Sequence, residues 1–122
     1  MADDNRAQTW RELARTYTRV SAALESALQQ SHAVSANDFE ILSALTSTDG
    51  GYLRMQRLAD ATGLPLSTTS RLVSRLETVG LLARYVCPDD RRGVFTQITP
   101  DGRRMQKAAA RTFGRTLDQE LA

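Results

Sequence analysis

The stretch from Gly80 to Gly102 leaves this chain the fewest options. Leu81 to Val86 is a run that can form a strand. Cys87-Pro88-Asp89-Asp90-Arg91-Arg92-Gly93 is dense in turn residues, and Val94-Phe95-Thr96-Gln97-Ile98 is a second strand-forming run. β-branched and aromatic residues on both sides of a Pro/Asp/Gly turn predict an antiparallel hairpin. Thr99 then supplies a helix N-cap, and Pro100 suits the first helical position, where its missing N–H costs nothing. The final helix carries apolar and small residues at Met105, Ala109, Thr112, Phe113 and Leu117 on its way to Leu121.

Upstream of the hairpin, the apolar period is helical. Met55, Leu58 and Ala59 give one face of a short helix over 55–62, and Gly63 ends it with a left-handed cap. Leu64-Pro65 redirects the chain, with Pro65 in the first turn of a second helix that runs to about Val79 and stops at Gly80. Two short helices joined by a Gly-containing turn make a helix-turn-helix. In the second one, Thr69, Leu72, Val73 and Leu76 share one face. Ser67, Ser70, Arg71 and Ser74 share the other, with Thr68 and Arg75 on its flanks.

Earlier still, Trp10, Leu13, Ala14, Tyr17, Val20, Ser21, Leu24 and Leu28 recur at three- and four-residue steps and predict an amphipathic helix over 8–29. Residues before it are read as a frayed acidic tail. Ser35 and Asp38 form a capping pair at the start of the next helix, which buries Phe39, Ile41, Leu42 and Leu45. Asp49-Gly50-Gly51 breaks that helix, and Tyr52-Leu53 is read as a plain link. The predicted fold is mainly α with a small β-hairpin wing. It is one domain over 1–122, in which 35–99 form a winged helix-turn-helix and 8–34 and 100–122 are flanking helices.

Composition narrows the function classes. Cys87 is the only cysteine and His32 the only histidine. Neither a disulfide nor a structural zinc site can be built, and no acid/base constellation stands out, so no catalytic residue, metal or cofactor is expected. No apolar run reaches the ~20 residues that span a bilayer, and the acidic first residues precede no signal-type segment, so a cytoplasmic location without membrane contact is expected. The net charge of +2 is unevenly spread. Residues 1–50 carry four Arg against seven Asp/Glu, a net of −3, whereas residues 51–104 carry nine Arg against five, a net of +4. The positive charge therefore collects on the helix-turn-helix and hairpin, where a nucleic-acid surface would need it.

Three stretches together resemble the MarR family of bacterial transcription regulators. They are Leu58-Ala59-Asp60-Ala61-Thr62-Gly63-Leu64, then Ser67 to Glu77 with Gly80-Leu81, then Asp90-Arg91-Arg92-Gly93 running through Thr99-Pro100-Asp101-Gly102. The last is the most specific, because an Asp-x-Arg turn, a strand and a Thr-x-x-Gly helix start are rarely assembled by chance. Pro65 and Leu66 depart from the usual Ser cap and polar residue, and Thr69 stands where an apolar residue is common. The resemblance implies a homodimer held by the flanking helices, a repressor more often than an activator, and a pocket for a small aromatic effector. Family members usually carry a longer C-terminal helical region than the chain has before Ala122.

As a DNA-binding surface, the helix from Ser67 to Glu77 has the required parts. Short Ser67, Thr68, Ser70 and Ser74 allow close approach near a helix N-terminus, and Arg71 and Arg75 are long donors suited to guanine edges. A solvated Ser/Arg face would look the same, and the wing favours the DNA reading. At the wing tip, Asp89 to Gly93, Arg92 can enter a minor groove, with Asp90 holding it extended and Arg91 on phosphate. A polar hairpin turn is the alternative. Arg54 and Arg57 lie beside the first motif helix, where a solvated face is the simpler reading. Tyr17, His32 and Phe39 are candidates for the effector pocket, against ordinary packing, capping or dimer roles. Cys87 beside the wing is read as structural or incidental, with a redox switch as the alternative. The competing function is a winged-helix protein–protein interaction module without specific DNA binding.

Overall fold

A computed structural model describes residues 2–86 and 94–122. Cys87 and the wing-tip residues Asp90, Arg91 and Arg92 lie outside the described residues. In order, the elements are α1 (Ala2–His32), α2 (Ala36–Thr46), a 3-10 turn (Asp49–Gly51), β1 (Tyr52–Arg54), α3 (Met55–Thr62), α4 (Leu66–Thr78), β2 (Leu82–Val86), β3 (Val94–Ile98) and α5 (Pro100–Glu120). The fold is mainly helical with a small antiparallel sheet.

Two elements differ from the sequence expectation. The segment before residue 8 is helical from Ala2 rather than frayed. Local bonds support this extension. Thr9 Oγ1 donates to the Asn5 carbonyl at 2.9 Å and Gln8 Nε2 to Glu12 at 3.2 Å. The Tyr52-Leu53 link is a strand. It pairs antiparallel with β3, with Tyr52 opposite Gln97 and Arg54 opposite Phe95, so the sheet has three strands in the order β1-β3-β2. Three residues are too few to show an alternating pattern, and their pairing partner lies over 40 positions along the chain, so neighbouring sequence carries no sign of it.

The core collects where the helices meet the sheet. Leu28 from α1, Ile41, Leu42 and Leu45 from α2, Leu58 from α3, Val73 and Leu76 from α4, Leu82 and Ile98 from the sheet and Ala109 from α5 are all buried. The Ser35/Asp38 capping box forms as expected, each side chain bonding the other residue's backbone N–H at 2.9 Å. Glu25 of α1 adds a third bond to this helix start, accepting from Ala36 N at 2.7 Å. At the start of α5, Thr99 Oγ1 accepts from Gly102 N at 3.0 Å and donates to the Gly80 carbonyl at 2.7 Å. Gly102 is required here by space. A Cβ at this position would overlap the Leu81 carbonyl oxygen and press on Ile98. The Thr-x-x-Gly pattern thus docks α5 onto the base of the hairpin.

The amphipathic stripe of α1 splits in two. Val20, Leu24 and Leu28 are buried, whereas Trp10, Leu13 and Tyr17 are 68%, 60% and 75% exposed. The N-terminal half of the stripe therefore faces outward in a single chain. No described helix is long and apolar enough to cross a membrane.

Candidate nucleic-acid interface

The candidate interface is built on α4. Gly63 takes a left-handed conformation (φ 75°) and its N–H bonds the Ala59 carbonyl at 2.9 Å, closing α3. Pro65 is the residue before the first turn of α4, not inside it, and contributes no side-chain cap; the helix begins at Leu66. Its inward face is as expected, with Thr69, Leu72, Val73 and Leu76 buried. Thr69, which replaces a common apolar residue, is completely buried yet satisfied, since its hydroxyl donates to the Pro65 carbonyl at 3.0 Å.

With that face in the core, Ser67, Ser70, Arg71 and Ser74 are all exposed on the opposite side, and Thr68 is half-buried. These five share the outward surface of α4. Arg75 is held differently. Its Nη2 donates to both carboxylate oxygens of Asp38, at 2.5 and 2.6 Å, and Asp38 is almost fully buried. The guanidinium expected to reach toward base edges is paired with the start of α2 in the single chain, while the Arg75 side chain stays 56% exposed. The opposite charge that captures it comes from residue 38, 37 positions away, which helix periodicity does not report.

Between α4 and the sheet lies a trough of about 220 Å³ lined by residues that include Ser70, Ser74, Glu77, Arg84 and Val94. Arg84 of β2 is not among the residues that the sequence motifs mark. Its Nε donates to Glu77 of α4 at 3.3 Å, linking the wing to the motif helix. The signal was available in the alternation of β2, because Arg84 falls on the same strand face as core residue Leu82. Arg54 ends β1 at the start of α3 and stands 5.2 Å from the centroid of the Phe95 ring. Arg57 is exposed on α3.

The three effector-pocket candidates do not line one cleft. Phe39 is buried and stacks on Phe113 with ring centroids 4.8 Å apart. Tyr17 borders a wide cleft between α1, α2, the α3–α4 turn and Phe113. His32 sits in a separate cleft of about 310 Å³ beside Asp38 and Arg75, with its Nε2 2.7 Å from Thr112 Oγ1. The resemblance that named these residues does not say how α1, which carries Tyr17 and His32, packs against α2, which carries Phe39.

A helix-turn-helix with an outward Ser/Arg face thus joins an antiparallel strand pair that runs through Thr-x-x-Gly into a long helix. The family model described as MarR family matches residues 32–93, half of the chain. The chain belongs to the MarR family. Among curated relatives, it is 28% identical over 88 residues to the multiple antibiotic resistance protein MarR of Salmonella typhimurium, a match covering 72% of this chain and 60% of that protein. The match thus spans about three fifths of that relative's length. Among solved structures, AbsC, a MarR family transcriptional regulator from Streptomyces coelicolor, superposes with a TM-score of 0.87 at 30% identity, over 96% of this chain and 78% of that one. Sco3205, a MarR family regulator from the same organism solved in complex with DNA, gives a TM-score of 0.87 at 27% identity, over 98% and 74%.

Proposed function

We propose that this MarR family chain is a sequence-specific DNA-binding transcriptional regulator, acting in the cytoplasm without catalysis. It binds a pseudo-palindromic operator as a homodimer, as a repressor responsive to a small aromatic effector. The observation that carries the reading is the outward face of α4. Four short or long polar side chains, Ser67, Ser70, Arg71 and Ser74, are exposed together while the opposite face is buried. Short hydroxyls let the helix sit deep in a major groove, and Arg71 supplies a donor fork that fits guanine O6 and N7. Arg75, committed to Asp38, aligns the helix and does not read bases. Thr68 on α4, Arg57 on the exposed side of α3 and Arg54 at the start of α3 would meet phosphates.

The wing residues Asp90, Arg91 and Arg92 complete the reading on sequence grounds, with Arg92 in the flanking minor groove. The flanking helices, 8–34 and 100–122, would join two protomers about 35–99, and a similar regulator has been solved on DNA. Effector binding would act in the clefts where α1, α2 and α5 meet the motif helices. It could shift DNA binding only through unequal affinity for the two head spacings. In-vitro selection from a random duplex library with the purified chain tests the function. Enrichment of a motif with two-fold symmetry is expected, and no enrichment at low salt would contradict it.

A further inference from the structure

On the sheet face turned away from the core, one aromatic side chain from each strand meets the others. Tyr52 of β1 and Tyr85 of β2 have ring centroids 4.8 Å apart, and Phe95 of β3 meets Tyr52 edge-on at 5.2 Å and Tyr85 at 6.1 Å. The Arg54 guanidinium lies over Phe95, 5.2 Å from its ring centroid. Strand pairing would be satisfied by β-branched residues here, and these rings contribute nothing to the main core, so strand formation alone does not account for them.

Their position along the hairpin does. On the inner face, Leu82, Thr96 and Ile98 are buried, but further toward the tip Val86 and Val94 are 61% and 51% exposed. Among the described residues, no buried residue backs the hairpin at that level. A two-stranded hairpin on its own is marginal in water, and cross-strand side-chain contacts are what hold its geometry. Among the described residues, the rings form a packed layer close to the end of β2 and the start of β3. They also reach β1, which runs directly into α3, while Arg84 on the other face pairs with Glu77 of α4. The hairpin is therefore referenced to both helices of the motif.

We infer that Tyr52, Tyr85 and Phe95 form an aromatic clamp that sets the angle between the wing and α4, which makes them positioning residues for DNA recognition. The inference rests on the DNA-binding reading. Its test uses a duplex enriched by the parent chain and compares the parent with Tyr85→Ala, Phe95→Leu and Tyr85→Phe by hydroxyl-radical footprinting and anisotropy titration. Tyr85→Ala and Phe95→Leu should keep protection over the major-groove half-sites, lose the flanking minor-groove protection, and bind about tenfold or more weakly. Tyr85→Phe, which keeps the ring, should stay within about twofold of the parent. Phe95→Leu retains apolar volume and decides the matter if Tyr85→Ala does not fold. Variants with parent-like circular dichroism and parent-like footprints would overturn the clamp. So would equal loss of both kinds of protection. A parent that enriches no duplex would instead overturn the DNA-binding reading, and the clamp with it.

Discussion

Asp38 is a carboxylate with almost no access to water, and its position is set by the donors around it. Ser35 N and Arg75 Nη2 reach its two oxygens, so the desolvation that would otherwise be costly is offset by bonds to a charged partner and to a helix start. Arg75→Ala removes the charged donor and leaves the buried oxygens with the backbone bond alone. Because the guanidinium is itself half exposed, the expected cost is about 1–2 kcal/mol in urea denaturation, discounted for solvent screening. Unchanged stability together with altered base preference would return Arg75 to the role of base reader. Gly102 makes a purely steric prediction at the same scale. Gly102→Ala sets a methyl against a backbone carbonyl that cannot rotate away, and should lower stability by about 1–3 kcal/mol in thermal unfolding. A parent-like midpoint would show that α5 can lift off the hairpin freely.

At the scale of elements, the sequence was readable wherever a period or a cap was long enough to register. The helix over 55–62, the Ser35/Asp38 box, the Thr99-Pro100 start and the inward face of α4 all appear as expected. What was not readable depends on distant partners. β1 exists because β3 pairs with it, and Arg75 is paired because Asp38 waits at the start of α2. Neither relation leaves a mark on neighbouring residues. Thr69 shows the reverse case, a local departure that the helix absorbs. Its hydroxyl donates to the Pro65 carbonyl, which also accepts from Thr69 N at 2.9 Å. Thr69→Val keeps the volume and that backbone bond, so stability should change by less than about 1 kcal/mol. A larger loss on thermal melting would mean the hydroxyl is needed to hold the start of α4 without a side-chain cap.

For the whole molecule, the telling feature is the outward half of the α1 stripe. Trp10, Leu13 and Tyr17 place three large apolar side chains on one exposed helix face. A second copy of the chain, pairing through the same helices by two-fold symmetry, would cover such a face and set the spacing of two motif heads. Light scattering should give twice the 13.5 kDa of one chain. Leu13→Glu with Tyr17→Glu should shift the mass to the monomer and weaken operator binding, since two linked heads gain from effective concentration. A monomeric parent that still binds a symmetric site tightly would contradict this assembly.

The central claim is that the outward face of α4 reads base sequence, and Arg71 carries it most directly. The decisive measurement is an anisotropy titration of the parent and Arg71→Ala against the selected duplex and a scrambled duplex at one fixed salt concentration. The parent should prefer the selected duplex, and Arg71→Ala should shrink that preference by ~1–3 kcal/mol while its thermal midpoint stays unchanged. An Arg71→Ala protein that discriminates the two duplexes as well as the parent would contradict the account.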